Sequence, residues 1–506
     1  MKPVLSKPTT IAFSVIDEAI HLLDVPTAPW SIQLEVRISG HLDDGRLRVA
    51  FGEALGRHAM ARVRKLPSRL RAPLDIWAVT DHAEVDPLRI EDCPDGEALA
   101  RVRAELQARS VPLTESPPLR AVLARCEDGD VLMLNVNHAA MDGFGALRLV
   151  RSIARAYAGE DDPIPDLDFE TARNITAQLK APSLSILLGR QAVLAARLRD
   201  LVAAPARVAP DGNADEAGYG FVLRRLSAED TAALAQRRTV APGVARPTVN
   251  DVLLAAMHLA IADWNATHQT PCRRIGVLVP ANLRPAEWRQ EMVGNFSLPS
   301  RISTTRRSRR SPEDALARVA VQTARKKKYG MGTAFIELLG ETRLLPLWAK
   351  RAVVLALPLT ANRLVDTAML SNVGRLDDLS FGAATPAAGS SEPPGSSEPP
   401  GAEEARVEEM WFSPPARMPL GLTIGAATVN GQLFLVLRYR YRQFDEAAAQ
   451  RFAALYLQKL RAFTGPAAAA EREPATRTPT ADVAALPRRD SVFPRKWKPV
   501  RYAAQR

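Results

Sequence analysis

The sequence is poor in cysteine. Its 506 residues include three cysteines, Cys93, Cys126 and Cys272. Three scattered thiols cannot supply a disulfide framework or a zinc site of the usual paired spacing. The seven histidines are also dispersed, and none forms a ligand motif with another histidine, a cysteine or a carboxylate. We therefore expect no metal and a reducing, cytoplasmic location.

Long apolar runs are missing as well. No window approaches the roughly 18 uncharged apolar residues that a membrane-spanning helix needs. The nearest candidate, residues 344–359, is interrupted by Lys350 and Arg351 and bracketed by two prolines. Residues 1–20 contain Ser14 and two carboxylates where a signal peptide would be apolar. We expect at most peripheral contact with a membrane or an apolar substrate.

Aromatic residues make up 6% of the chain, too few for the stacking surfaces typical of proteins that bind single-stranded nucleic acids. The net charge of +11 is concentrated in the arginines of 306–310, in Lys326 to Lys328 and in the C-terminal segment. No nucleic-acid motif accompanies them. We expect solvated basic faces and no nucleic-acid partner; binding of an acidic partner or of cofactor phosphates is the alternative.

The chain is longer than one hydrophobic core usually supports, which predicts two lobes. We assign residues 1–210 to an N-terminal lobe and residues 211–465 to a C-terminal lobe. A tandem Gly-Ser-Ser-Glu-Pro-Pro repeat lies within 383–404 and cannot bury a core, so this segment is predicted to be a disordered insertion. Residues 466–506 are predicted to form a disordered basic tail.

Strands and helices alternate through both halves, which predicts an α+β or α/β fold. Apolar residues at helical spacing run from Leu47 to Val63. A second helix is predicted from Thr248 to Asn265, with Asn250 and Asp251 providing its cap and its first-turn acid.

A hairpin is predicted in the N-terminal half. Two apolar stretches, residues 121–124 and 131–136, flank a Glu-Asp-Gly-Asp turn. The second strand stops at Asn137-His138, and Asp142-Gly143 reads as a tight turn before a helix over residues 144–157.

This places His138 where a buried strand meets a loop. Histidine suits proton transfer because its unperturbed pKa of about 6.5 lies near working pH. The Asp142 carboxylate, one short loop away, could fix the tautomer of the ring or hold the loop by pairing with a cation. A histidine with a purely structural role at a strand end is the alternative.

The stretch Asn-His-Ala-Ala-Met-Asp-Gly at 137–143 resembles the His-His-x-x-x-Asp-Gly signature of one acyltransferase superfamily. This superfamily comprises condensation domains, polyketide-associated acyltransferases, wax ester synthase/diacylglycerol acyltransferases and chloramphenicol acetyltransferase. Asn137 replaces the first histidine. Five further segments resemble the family in order and approximate spacing: Pro117-Pro118-Leu119-Arg120, Val249-Asn250-Asp251-Val252, Pro280-Ala281-Asn282-Leu283-Arg284, Gly294-Asn295-Phe296 and Ser371-Asn372-Val373-Gly374.

The resemblance implies a two-lobed chloramphenicol acetyltransferase-like fold, with two similar mixed-sheet lobes and a tunnel between them. It implies that His138 is the general base and that Asp142 is structural and pairs with Arg284. Asn137 would be supportive. Gly143 would serve a close backbone approach or a positive φ, or simply the turn. Ser371, Asn372 and Asn295 would line the tunnel.

The implied function is acyl transfer from a thioester of coenzyme A, or of a carrier protein's phosphopantetheine, to a hydroxyl or less readily an amine. No permanently bound cofactor is expected. The acceptor would be a small-molecule or lipid alcohol. Two alternatives stay open, a wax ester synthase/diacylglycerol acyltransferase-type lipid enzyme and a catalytically degenerate binding or scaffold protein.

Overall fold

The computed structural model describes residues 9–24, 29–68, 71–164, 173–174, 183–200, 204–212, 218–236, 246–284, 288, 291–329, 345–356, 363, 365–376, 379–382, 405–417 and 420–464. The predicted insertion at 383–404 and the predicted tail at 466–506 lie outside the described residues.

The helices begin after polar caps in most cases where the cap is described. They are α1 (Val15–Leu23), α2 (Asp44–Arg57), α3 (Gly96–Ala108), α4 (Gly143–Ala158), α5 (Leu184–Asp200), α6 (Ala228–Gln236), α7 (Val249–Thr267), α8 (Pro312–Tyr329), α9 (Leu347–Ala356) and α10 (Glu446–Arg461). Short 3₁₀ helices span Ala59–Arg62 and Arg306–Arg309.

The strands are β1 (Thr9–Ala12), β2 (Ser31–Ile38), β3 (Val63–Lys65), β4 (Ile76–Val79), β5 (Leu88–Asp92), β6 (Leu119–Cys126), β7 (Gly129–Asn137), β8 (Tyr219–Leu226), β9 (Arg274–Asn282), β10 (Ser297–Thr305), β11 (Ala368–Arg375), β12 (Val407–Ser413), β13 (Leu422–Val429) and β14 (Gln432–Arg440).

Two large mixed sheets organise the molecule. The first has the order β12-β2-β7-β6-β5, in which β5 and β6 are parallel and the other neighbours antiparallel. The second has the order β10-β9-β11-β13-β14-β8, with β11 parallel to both β9 and β13. A small antiparallel sheet, β1-β4-β3, completes the described strands.

Strand β12 belongs to the sheet of the N-terminal half, although it follows β11 in sequence. Its backbone pairs antiparallel with β2, with Phe412 opposite Leu34. On its other side β12 lies tightly against β13, because a Cβ atom added to Gly425 would fall on the carbonyl oxygen of Phe412. The two large sheets therefore meet where β12 passes β13.

Three sequence expectations differ from the structure. The helix predicted to reach Val63 ends at Arg57, because the later apolar residues enter a 3₁₀ turn and β3. No separate turn forms at Asp142-Gly143: Asp142 is the N-cap of α4, with its Oδ1 accepting from Gly145 N at 2.9 Å. The cap of α7 is Thr248 rather than Asn250, in a capping box with Asp251.

Residue Lys350, which breaks the apolar run at 344–359, is buried in α9. Its ammonium group donates to both oxygens of Glu18 on α1, at 2.9 and 2.8 Å, and to the carbonyl of Pro73. The charge thus fixes α9 against the N-terminal half. Among the described residues, no helix combines the length and apolar character needed to cross a membrane.

Candidate active site

His138 follows the last residue of β7 and is held through its backbone on both sides. Its N–H donates to the carbonyl of Trp30 at 3.1 Å. Its own carbonyl accepts from Asn295 Nδ2 at 2.9 Å. Trp30 precedes β2 and Asn295 precedes β10, so elements from both halves of the chain fix the position of this residue.

His138 as a residue is partly exposed, but its Nδ1 atom is buried and makes no hydrogen bond within the described part of the chain. Removal from water lowers the pKa of His138, and this outweighs the carboxylate of Asp142 and nearby backbone carbonyls, which favour the charged form. The ring is therefore neutral near pH 7, the state in which an imidazole can accept a proton.

Asn137 is buried, with 2% of its surface exposed, and all its polar groups are used. Its Nδ2 donates to Asp24 Oδ2 at 3.0 Å and to the carbonyl of Val111 at 2.9 Å. Its Oδ1 accepts from Ala139 N at 3.0 Å. The residue that replaces the first motif histidine thus fixes the backbone on both sides of His138.

Asp142 and Arg284 form a fully buried, two-bond ion pair between the two halves of the chain. Arg284 Nη1 donates to Asp142 Oδ2 at 2.9 Å, and Nη2 donates to Oδ1 at 2.8 Å. The carboxylate also accepts from Gly145 N, Phe296 N and Ser297 Oγ at 2.8 to 2.9 Å. Burial would raise the pKa of Asp142, but the charge of Arg284 and these hydrogen bonds lower it.

Arg284 is equally committed to structure. Its Nη2 and Nε donate to the carbonyls of Gly294 and Met292, at 2.9 and 3.2 Å. Its guanidinium lies over the ring of Phe296, 4.6 Å from the ring centre. The hydrogen bonds of the pair join the start of α4 to the segment before β10 and to β10 itself, so the pair holds α4 against β10.

Gly143 and Gly145 allow the start of α4 to approach its neighbours closely. A Cβ atom on Gly143 would lie 2.9 Å from Cε2 of Phe412 in β12 and 3.5 Å from Val373 in β11. One on Gly145 would lie 2.8 Å from the carbonyl oxygen of Gly294. Close backbone approach, one of the reasons expected for a glycine at position 143, is therefore the one that the structure shows.

Of the three polar residues expected to line a tunnel, Asn295 contacts His138, and the other two lie on β11. Asn295 binds the backbone of His138, while its Oδ1 is buried without a partner within the described residues. Ser371 and Asn372 lie in the middle of β11, next to Val373, which approaches Gly143. Asn372 Oδ1 accepts from Gly374 N at 2.9 Å, and its amino group makes no hydrogen bond to another described residue.

The basic clusters lie elsewhere and are partly structural. Arg309 donates to Thr304 Oγ1 and to the carbonyl of Cys272, both at 2.9 Å. Lys326 to Lys328 occupy the last turn of α8, where cations favour the helix dipole. Within the described ranges, no group of three or more His, Cys, Asp or Glu side chains is arranged for a metal ion.

Several residues that build the site were not predicted from the sequence. Asp24 and Trp30 support the motif from the N-terminal segment, and Ser297 and Phe412 from the second half. Asp24 lies 113 residues before Asn137, and nothing in the local pattern connects them. Of these residues, only Ser297 could have been found from the sequence, because it directly follows the Gly294-Asn295-Phe296 motif.

The family model of the condensation domain matches residues 19–333 of this sequence, from α1 into the segment after α8. The chain belongs to the condensation-domain family. An uncharacterized protein of Mycobacterium tuberculosis is 35% identical over 459 residues, which covers 89% of this chain and 99% of that protein.

Solved structures share the fold at low sequence identity. The first condensation domain of the calcium-dependent antibiotic synthetase, solved with a substrate analogue, has a TM-score of 0.65 at 15% identity and covers 91% of this chain and 96% of that chain. A trichothecene 15-O-acetyltransferase from Fusarium sporotrichioides has a TM-score of 0.64 at 13% identity, with 92% and 98% covered. The family and the mixed α/β, chloramphenicol acetyltransferase-like fold predicted from the sequence are thus confirmed.

Proposed function

We propose that this condensation-family protein transfers an acyl group from a thioester to a hydroxyl acceptor, with His138 as the general base. The observation that supports it best is the neutral, backbone-anchored imidazole of His138 at the point where the two halves of the chain meet. Amine acceptors form a second candidate class, because the structural likeness extends to a condensation domain of an antibiotic synthetase as well as to an O-acetyltransferase.

In the proposed step, His138 removes the proton from the acceptor hydroxyl as its oxygen attacks the thioester carbonyl. The carbon–sulfur bond then breaks, and the imidazolium returns the proton to the leaving thiolate. Because Nδ1 is buried, Nε2 is the nitrogen left for the substrate. Positioned proton transfer of this kind contributes about 10²–10⁴-fold in rate.

The donor is proposed to be coenzyme A or a carrier-bound phosphopantetheine thioester, entering a tunnel between the two large sheets. In either donor, the arm that carries the thioester contains amide N–H and C=O groups. Asn295 Oδ1, which is buried and unpartnered within the described residues, could accept from such an N–H or from the acceptor. The amino group of Asn372, which makes no hydrogen bond within the described part of the chain, and the hydroxyl of Ser371 could donate to the thioester carbonyl.

The test is acyl transfer by the full-length protein and by His138→Ala. Radiolabelled acyl-coenzyme A and acyl-carrier thioesters of several chain lengths would be incubated with panels of alcohols and amines. We expect His138→Ala to lower kcat about 10²–10⁴-fold without abolishing it, because substrate positioning remains. His82→Ala, which changes an exposed loop histidine, is the matched control and should keep the wild-type rate.

Each alternative has a distinct outcome. Long-chain alcohols or diacylglycerols as the sole good acceptors would favour the lipid enzyme. Tight binding of an acyl-carrier protein with no product from any acceptor would favour the scaffold. Full turnover by His138→Ala would show that His138 is not the base.

A further inference from the structure

Asp24 occupies a position that is unfavourable for a carboxylate by itself. It caps the C-terminus of α1, with its backbone N–H donating to the carbonyls of Ile20 and His21. The helix dipole places partial negative charge at this end, so an acidic side chain here is repelled. Among the described residues Asp24 forms no ion pair with a cation. Local helix chemistry therefore does not explain this residue.

The contacts of its carboxylate do explain it. Oδ1 accepts from Trp30 N at 2.8 Å, and Oδ2 accepts from Asn137 Nδ2 at 3.0 Å. Trp30 receives the backbone N–H of His138 through its carbonyl, and Asn137 immediately precedes His138. The two oxygens of Asp24 thus reach both supports of His138 and close a hydrogen-bonded ring, which we name the Asp24 ring (Asp24, Trp30, Asn137 and His138).

We propose that Asp24 is a positioning residue for catalysis, which fixes the backbone of His138 through Trp30 and Asn137 and places a negative charge beside its imidazole. This inference rests on the proposed role of His138 as base. The C-terminal end of α1 thus supports the residue proposed as the base. The inference also explains the asparagine at position 137, because the Asp24 carboxylate requires an N–H donor there.

Charged groups from several elements surround the pair: Lys65, Asp75 and Arg351 act on His21, which lies near Asp24. Asp24 and Asp142 both favour the protonated form of His138, which burial opposes. Asp142 is neutralised by Arg284, whereas Asp24 has no such partner within the described residues. His21 lies in the last turn of α1 near Asp24, and Arg417 donates to the carbonyl of Leu23 at 2.8 Å. Asp142 has the larger effect on the pKa of His138 but is paired with Arg284, whereas Asp24 has a smaller effect and forms no ion pair within the described residues.

The test is Asp24→Asn in the full-length protein. The variant loses the charge and one acceptor oxygen but keeps the size of the side chain. We expect kcat to fall about tenfold, the rate equivalent of about one hydrogen bond, with the KM for the thioester within about twofold of wild type. The pKa of His138 should fall further below its wild-type value, because the imidazolium loses a nearby negative charge.

The pKa is measured directly by NMR titration of ¹³C-labelled histidine rings, with the His138 signal assigned by its absence in His138→Ala. Asp24→Glu restores the charge, and we expect it to return the pKa of His138 most of the way to its wild-type value. Asp445→Asn, which removes a carboxylate that caps α10 at Ala448 N, is the control and should change neither quantity. Thermal unfolding of each variant identifies loss of fold.

The outcomes separate this inference from the proposed function. An Asp24→Asn protein with an unchanged His138 titration and kcat within about twofold of wild type would overturn the inference while leaving the base role intact. If His138→Ala keeps full turnover, the base role fails. In that case the NMR titration still decides whether Asp24 acts on His138.

Discussion

At the scale of single residues, Asn137 is explained by the number of donors it supplies. A carboxamide provides two N–H groups and one oxygen, and here they bind Asp24, the carbonyl of Val111 and Ala139 N. A neutral imidazole at this position has one N–H and one acceptor nitrogen. It would leave either Asp24 or the Val111 carbonyl without its donor. The departure from the family signature is thus matched to its surroundings.

The Asp142–Arg284 pair gives a stability prediction. Asp142→Asn leaves Arg284 buried without its counter-charge, and we expect a loss of about 3–5 kcal/mol in the free energy of unfolding. Denaturant unfolding measures it. Asp263→Asn, which breaks a half-exposed pair with Lys459, is the control and should cost no more than about 1 kcal/mol. Unchanged stability with lost turnover would contradict the structural role.

The same pair predicts a direction with pH. The folded-state pKa of Asp142 is lowered relative to the unfolded chain. Its stabilising contribution is therefore complete above the unfolded pKa of about 3.9 and is lost as the pH falls through the lower, folded value. Asp142→Asn should show a shallower loss of stability below about pH 4.

Short sequence motifs located three residues of the candidate site but not the residues that support them. The positions of His138, Asp142 and Arg284 followed from motifs, because each lies in a short segment with its own recognisable pattern. The contacts of Asp24 and Phe412 did not, since they join residues 113 and about 270 positions from their partners. Local periodicity carries no information about such long-range pairs.

At the scale of elements, strands and helices were predicted more reliably than their ends and partners. The hairpin of β6 and β7 formed as expected, because a turn sequence and two apolar strands are local signals. The helix α2 stopped early, since apolar spacing alone cannot distinguish a further helical turn from a 3₁₀ turn that leads into β3. The pairing of β12 with β2 had no local signal at all.

The crossing of β12 and β13 can be tested with a single methyl group. In Gly425→Ala the new Cβ meets the backbone carbonyl of Phe412, so the strands must separate, and we expect a loss of about 1–3 kcal/mol in stability. Turnover should fall too, because Phe412 packs against Gly143. Gly52→Ala in α2, where the added Cβ has open space, should instead stabilise by about 0.5–1 kcal/mol. Equal effects at the two sites would contradict this packing.

At the scale of the whole molecule, each half of the chain buries one histidine. His58 Nε2 pairs with Ser152 Oγ and His258 Nδ1 with Thr304 Oγ1, both at 2.8 Å. Burial, and secondarily Arg148 for His58 and Arg309 for His258, lowers the pKa of each to about 3. Both histidines are therefore neutral in the folded protein at pH values well above 3.

This predicts acid lability of the entire fold. Between about pH 6.5 and 3 the unfolded chain binds protons at these histidines and the folded chain does not. The free energy of unfolding therefore decreases as the pH decreases, by up to about 1.4 kcal/mol per pH unit for each histidine. Urea unfolding at pH 7.5 and pH 5 measures the slope. The double variant His58→Gln/His258→Gln should show a smaller pH dependence, whereas His82→Gln, at an exposed position, should match wild type.

The place of β12 at the edge of the first sheet also has a consequence during synthesis. Strand β2 ends at Ile38, but its outer neighbour begins only at Val407. At the usual pace of translation the ribosome needs roughly 20–70 s to cover that distance. For this interval the nascent sheet exposes an open strand edge, the kind of surface that recruits other unfinished chains. Chaperone supply and translation speed should therefore govern the yield of this protein as strongly as its final stability does.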